Sequence, residues 1–100
     1  MAYTKVAKTA DIQPGTIKGF VIDGKKIAVA NVNGQFYTIE DSCPHQKQPL
    51  SQGMMIGNTV MCLFHGYRVD LTTGESLNTA NEYVKKYPVK VEGDDILVDL

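Results

Sequence analysis

Apolar and polar positions alternate along this chain in short runs bounded by turn residues, and no segment keeps a helical apolar period for long. Lys5-Val6-Ala7 reads as a first strand, followed by a turn over 11–16 in which Pro14-Gly15 supplies one fixed and one permissive φ angle. Ile17 to Ile22 is predicted as a strand that turns at Asp23-Gly24, a two-residue hairpin signal, into a strand from Lys25 to Asn31. There Ile27, Val29 and Asn31 share one face, while Ala28, Ala30 and Val32 share the other. Apolar residues on both sides predict a strand covered on both faces. Asn33-Gly34 is a second hairpin signal, and Gln35 to Glu40 returns as the next strand. This meander delivers the chain to Cys43.

Residues 41–57 change character and read as ordered loop, with Gly53 and Gly57-Asn58 as punctuation. Thr59-Val60-Met61 is a short strand ending at Cys62, and Tyr67 to Asp70 is another, closed by a turn at Thr72-Thr73-Gly74. Residues 76–83 are polar and weakly patterned, a returning loop or short helical turn. Tyr87 to Val91 and Ile96 to Leu100 are expected as a last hairpin across Gly93-Asp94-Asp95. The fold class is therefore all-β, an antiparallel sandwich, with a loop-built subdomain over 41–66 inserted between base segments 1–40 and 67–100.

Composition narrows the function classes. The 100 residues make one domain of ordinary globular composition, able to bury a real but modest core. The net charge is -1 and like charges never run beyond pairs, so there is no footprint for nucleic acid or an anionic membrane. Met1 to Val6 lacks the apolar segment of a signal peptide, and apolar runs are far shorter than the roughly 20 residues a membrane span needs. A soluble, cytoplasmic protein is expected.

The chemistry-bearing residues are concentrated in two stretches, Cys43-Pro44-His45 and Cys62-Leu63-Phe64-His65, separated by residues 46–61. They hold both cysteines and both histidines of the chain. Two thiolates and two imidazoles, each pair following a strand, are the donor set of a buried metal centre. A disulfide would leave the matching histidines unexplained and does not suit a reducing compartment. Zinc uses the same donors, although its usual pairing is Cys with Cys and His with His at wider spacing. A mixed-ligand [2Fe-2S] cluster, with two histidines replacing two cysteines on one iron, uses them as well.

At these residues the sequence resembles the Rieske ferredoxins, small electron carriers, through the pattern Cys-x-His, residues 46–61, then Cys-x-x-His-Gly. Pro49-Leu50-Ser51-x-Gly53 is similar to the family's inter-loop segment. His65-Gly66 with Asp70-x-x-Thr73-Gly74 is similar to its second loop and exit turn. Tyr87 to Val91 with Ile96 to Val98 is similar to its closing hairpin. The resemblance implies a Rieske-type β-sandwich and one [2Fe-2S] cluster, with Cys43 and Cys62 on the inner iron and His45 and His65 on the outer one. Leu63, Phe64 and Gln46 depart from the residues common in the family, and 78–82 lacks the expected covering-loop proline.

High-potential members of the family brace their loops with a disulfide and place a Ser and a Tyr where Tyr67 and Val69 stand. Without those hydroxyls a potential at the low end, on the order of -150 mV, is expected, falling with pH once the histidines titrate.

The remaining polar and soft residues have simpler readings. Met54 and Met55 are expected to fill packing gaps, and Glu40, Asp41 and Asp70 to serve turns and caps. Lys85-Lys86 reads as a solvated patch. Pro44, Pro49, Leu63 and Phe64 are expected to form an apolar collar around the histidine tips, serving either packing or docking.

By resemblance, the chain would be a monomeric, non-catalytic electron carrier. An NAD(P)H-dependent flavoprotein reductase would be its donor and a terminal, ring-hydroxylating oxygenase its acceptor, both met transiently. Two rival readings are a zinc-stabilised, non-redox binding module and the small subunit of a nitrite-reductase-like enzyme.

Overall fold

The structure, a computed structural model, describes residues 3–42, 49–62, 68–77 and 83–100. Ten short strands account for most of them: β1 (Tyr3–Lys8), β2 (Thr16–Ile22), β3 (Lys25–Val32), β4 (Gln35–Glu40), β5 (Met54–Ile56), β6 (Thr59–Met61), β7 (Arg68–Asp70), β8 (Lys86–Tyr87), β9 (Val89–Glu92) and β10 (Asp95–Asp99). Two single 3-10 turns, Thr9–Asp11 and Leu50–Gln52, are the only helical pieces among the described residues.

The strands form three antiparallel sheets. The central one has the order β2-β3-β4-β8, a terminal one β1-β10-β9, and a small one β5-β6-β7. Both hairpins of the expected meander form. Asp23 (φ 51) with Gly24 (φ 78), and Asn33 (φ 53) with Gly34 (φ 91), take the two left-handed conformations that a tight hairpin twisting with its strands requires.

The central sheet is covered on both faces, as the alternation along β3 predicts. Ile27 and Val29 are buried with Ala7, Ile12, Ile96 and Val98, on the side of the terminal sheet. Ala28 and Ala30, with Ile39 of β4, are buried on the opposite side with Leu50, Val60, Cys62, Val69, Leu71 and Val84. Buried Asn31 is satisfied on both ends of its amide: Nδ2 donates to the Ile12 carbonyl at 2.8 Å, and Oδ1 accepts from Gly34 N–H at 2.7 Å.

Two elements differ from the expectation. Met54–Ile56 is a strand, not loop; it pairs with β6 at Met54↔Met61 and Ile56↔Thr59 and so joins the small sheet. Three residues are too few to show a period in sequence. The closing hairpin begins at Val89 rather than Tyr87. Pro88 has no N–H to continue a ladder, and Tyr87 before it pairs with Thr38 of β4 instead. Of the weakly patterned stretch, 78–82 lies outside the described residues, while Ser76 bridges Val69 and Tyr83 bridges Glu75. No helix is long and apolar enough to cross a membrane among the described residues.

Candidate metal centre

Of the four expected ligands, Cys62 is described; Cys43, His45 and His65 lie outside the described residues. Cys62 follows β6 directly, is fully buried and carries a free thiol. It shares one cluster of buried side chains with Leu50, Val60, Val69 and Leu71. Water is thereby excluded from the sulfur on its inner side, which suits a thiolate ligand anchored to a rigid strand end.

The bases of both ligand stretches are built in detail. Segment 63–67 springs from the β6–β7 hairpin, whose last pair is Met61↔Arg68. Segment 43–48 springs from the end of β4 and re-enters at Pro49. Its two ends are tied together by Asp41: Oδ1 accepts from Ser51 N–H at 2.7 Å, and Oδ2 accepts from the Ser51 hydroxyl at 2.6 Å. Asp41 is nearly buried, and its N–H donates to the Lys26 carbonyl at 3.0 Å, fixing it to β3. Leu50 fills the core beneath.

The two bases touch. A Cβ on Gly53 would collide with the Met61 carbonyl oxygen, so only glycine lets the chain after the first stretch pass against the residue before Cys62. Gly19 of β2 plays the same part on the other side: a Cβ there would lie 2.6 Å from Ser51 Oγ and 2.7 Å from Asp41 Oδ2.

Beyond the second stretch, Asp70 caps the exit turn. Its Oδ1 accepts from Thr72 N–H at 2.8 Å and from the Thr72 hydroxyl at 2.6 Å. Burial works against its charged form, but bonds from Thr72 and Thr73, with Lys86 nearby, outweigh that and hold the carboxyl below its ordinary value. Asp70 is thus a cap, as expected. Met55 packs partly buried against the core and Met54 is half exposed. Val69 is buried and can offer no hydroxyl.

The tie between Asp41 and Ser51 and the bare contacts at Gly19 and Gly53 were not foreseen. A glycine inside the otherwise regular β2 is a signal of close backbone approach. What approaches it lies far along the chain.

Two stretches that each hold one cysteine and one histidine, with bases that pack side by side on one core, suit a mixed-ligand iron–sulfur protein. Residues 2–88 match the family model of the Rieske [2Fe-2S] domain. The chain is 36% identical over 101 residues to the biphenyl 2,3-dioxygenase ferredoxin component of Rhodococcus jostii (strain RHA1), covering all of this chain and 94% of that one. It is similar to the solved ferredoxin of carbazole 1,9a-dioxygenase from Nocardioides aromaticivorans IC177, at TM-score 0.91 and 28% identity over 98% of this chain and 97% of that one. A ferredoxin chain in a complex of reduced oxygenase and oxidized ferredoxin of carbazole 1,9a-dioxygenase is similar too, at TM-score 0.89 and 33% identity over 96% and 91%. The chain belongs to the Rieske [2Fe-2S] domain family, and its cofactor is one Rieske-type [2Fe-2S] cluster. The buried Cys62 side chain, at the start of the second stretch and packed with Leu50 from the base of the first, fits that group.

Proposed function

We propose that this chain is a one-electron carrier, the ferredoxin component of a multicomponent oxygenase system, whose cluster is held by Cys43 and Cys62 on one iron and by His45 and His65 on the other. The cluster supplies one reversible electron; the chain supplies the frame. The buried side chains around Cys62 exclude water from the sulfur's inner side, and the Asp41–Ser51 tie at the loop base would restrict how far the ligands move when the cluster changes oxidation state. Little reorganisation is then needed when charge arrives or leaves. Electrons come from an NAD(P)H-dependent flavoprotein reductase and go to a terminal, ring-hydroxylating oxygenase. Both encounters are transient and small, as suits electron-transfer partners. The chain acts as a single domain and a monomer in the cytoplasm, with its ligand-bearing part over 41–66.

The observation that carries this reading is fully buried Cys62 at the root of the second Cys/His stretch, packed with Leu50 from the base of the first. It is supported by relatives named as ferredoxin components and by a similar ferredoxin solved in complex with its oxygenase. The test is the purified protein's visible absorption and its electron paramagnetic resonance (EPR) after dithionite reduction. A coloured protein with the signal of a histidine-ligated [2Fe-2S] cluster is expected. A colourless protein holding one divalent ion overturns the reading and makes it a zinc module.

A further inference from the structure

We propose that Asp41 and Ser51, closed over the bare backbone of Gly19, are positioning residues that fix the ligand pair of segment 43–48. This rests on the cluster ligation proposed above. In a chain with only two cysteines, both proposed as ligands, no disulfide is available to brace the loops; this clamp takes that place.

Three features make it a built device rather than a passing surface contact. Both oxygens of one carboxylate are used, by two donors of a single residue, at 2.7 and 2.6 Å. The carboxylate is withdrawn from water, with Asp41 only 9% exposed, so these bonds are not traded freely for solvent. A third strand has given up its side chain to admit the pair, since any Cβ at Gly19 would strike Ser51 Oγ and Asp41 Oδ2. Asp41 is itself fixed to β3 through the Lys26 carbonyl, and Ser51 sits in a 3-10 turn anchored by buried Leu50. Clamping there shortens the free loop to the residues that carry the ligands, and lowers the entropy lost on binding metal. Partners that orient ligands from behind typically change metal affinity by about 10–100-fold when removed.

The test uses the cluster-loaded protein and five variants: Asp41→Ala, Ser51→Ala, the double substitution, Asp41→Asn and Gly19→Ala. Two quantities are read, the rate at which visible absorption bleaches in the presence of an iron chelator and the EPR line positions of the reduced cluster. An Ile96→Val variant, destabilised on the far side of the central sheet, calibrates what loss of stability alone does. Asp41→Ala should bleach about tenfold faster, with shifted EPR lines. The double variant should be no worse than Asp41→Ala, because the two residues act as one unit. Gly19→Ala, which leaves both partners in place, should also bleach faster. Asp41→Asn can still accept from Ser51 N–H and can donate to the hydroxyl, so it should stay within about twofold of wild type. Bleaching of Asp41→Ala, Ser51→Ala and Gly19→Ala no faster than that of Ile96→Val, with unmoved EPR lines, overturns the clamp. A wild-type protein without the cluster's spectrum overturns the ligation as well, whereas an intact wild-type spectrum with indifferent variants overturns the clamp alone.

Discussion

The two faces of the central sheet are packed by different rules. Towards the terminal sheet, β3 presents Ile27 and Val29, which meet Ile96, Val98 and Ile12 in a core of branched aliphatics. Towards the small sheet the same strand presents Ala28 and Ala30, with Val32 partly buried at its end and Ile39 of β4 beside them, and Leu50, Val60, Val69 and Leu71 pack down on the two alanines with Cys62 among them. The first face is an ordinary stabilising core, where bulk on both sides is the point. The second is a seat: small residues let the turn at Leu50 and the root of the second ligand stretch come down close to the sheet. One face is an ordinary core, and the other packs beneath the bases of the two Cys/His stretches.

Four substitutions would test that division. Gly53→Ala should be the most damaging, since its Cβ has to displace the Met61 backbone. A loss of about 4 kcal/mol or more is expected. Cluster content should fall with it, read by urea unfolding and by visible absorbance per chain. Next come two truncations of fully buried side chains, Ile96→Ala on the terminal side and Leu50→Ala on the cluster side. Each should cost about 2–5 kcal/mol in denaturant unfolding. Only Leu50→Ala should also speed bleaching of the cluster; equal bleaching in both would erase the distinction between the faces.

Ala28→Val probes the seat from beneath. Added bulk against a close-packed neighbour should cost about 1–3 kcal/mol, measured from the denaturant midpoint at constant slope. A neutral or stabilising result would show that the alanine side is not tightly seated.

The smallest effect expected is the pH dependence contributed by Asp70. Its folded-state carboxyl titrates below the value of 3.8 that it has in the unfolded chain, so around that pH the unfolded state binds more protons and stability rises with pH. The contribution is complete above the unfolded value and lost as pH falls through the folded one. Asp70→Asn should therefore lower the melting temperature near neutrality and flatten the acid limb between those two values. An unchanged acid limb in thermal unfolding against pH would remove Asp70 as a contributor.

Much of this was legible from local sequence. The paired hairpins at Asp23-Gly24 and Asn33-Gly34 formed because a tight turn needs left-handed residues at two adjacent positions, and Asn, Asp and Gly are the residues that tolerate them. The doubly covered β3 followed from a period of two with apolar residues in both phases. The four donors could be singled out because they are the only cysteines and histidines in the chain. Their place in space is described for Cys62, at the root of the site.

Tertiary structure alone decided which segments became neighbours. β10 pairs with β1 across nearly the whole chain, Tyr87 leaves its expected hairpin for β4, and Asp41 finds Ser51 above Gly19. Dihedral preference and side-chain alternation act over a few residues, so the sequence by itself determines strands, turns and donors. Pairing and clamping depend on the closure of long loops and on burial shared among distant residues. No local window contains that information, and it exists only once the whole chain has packed.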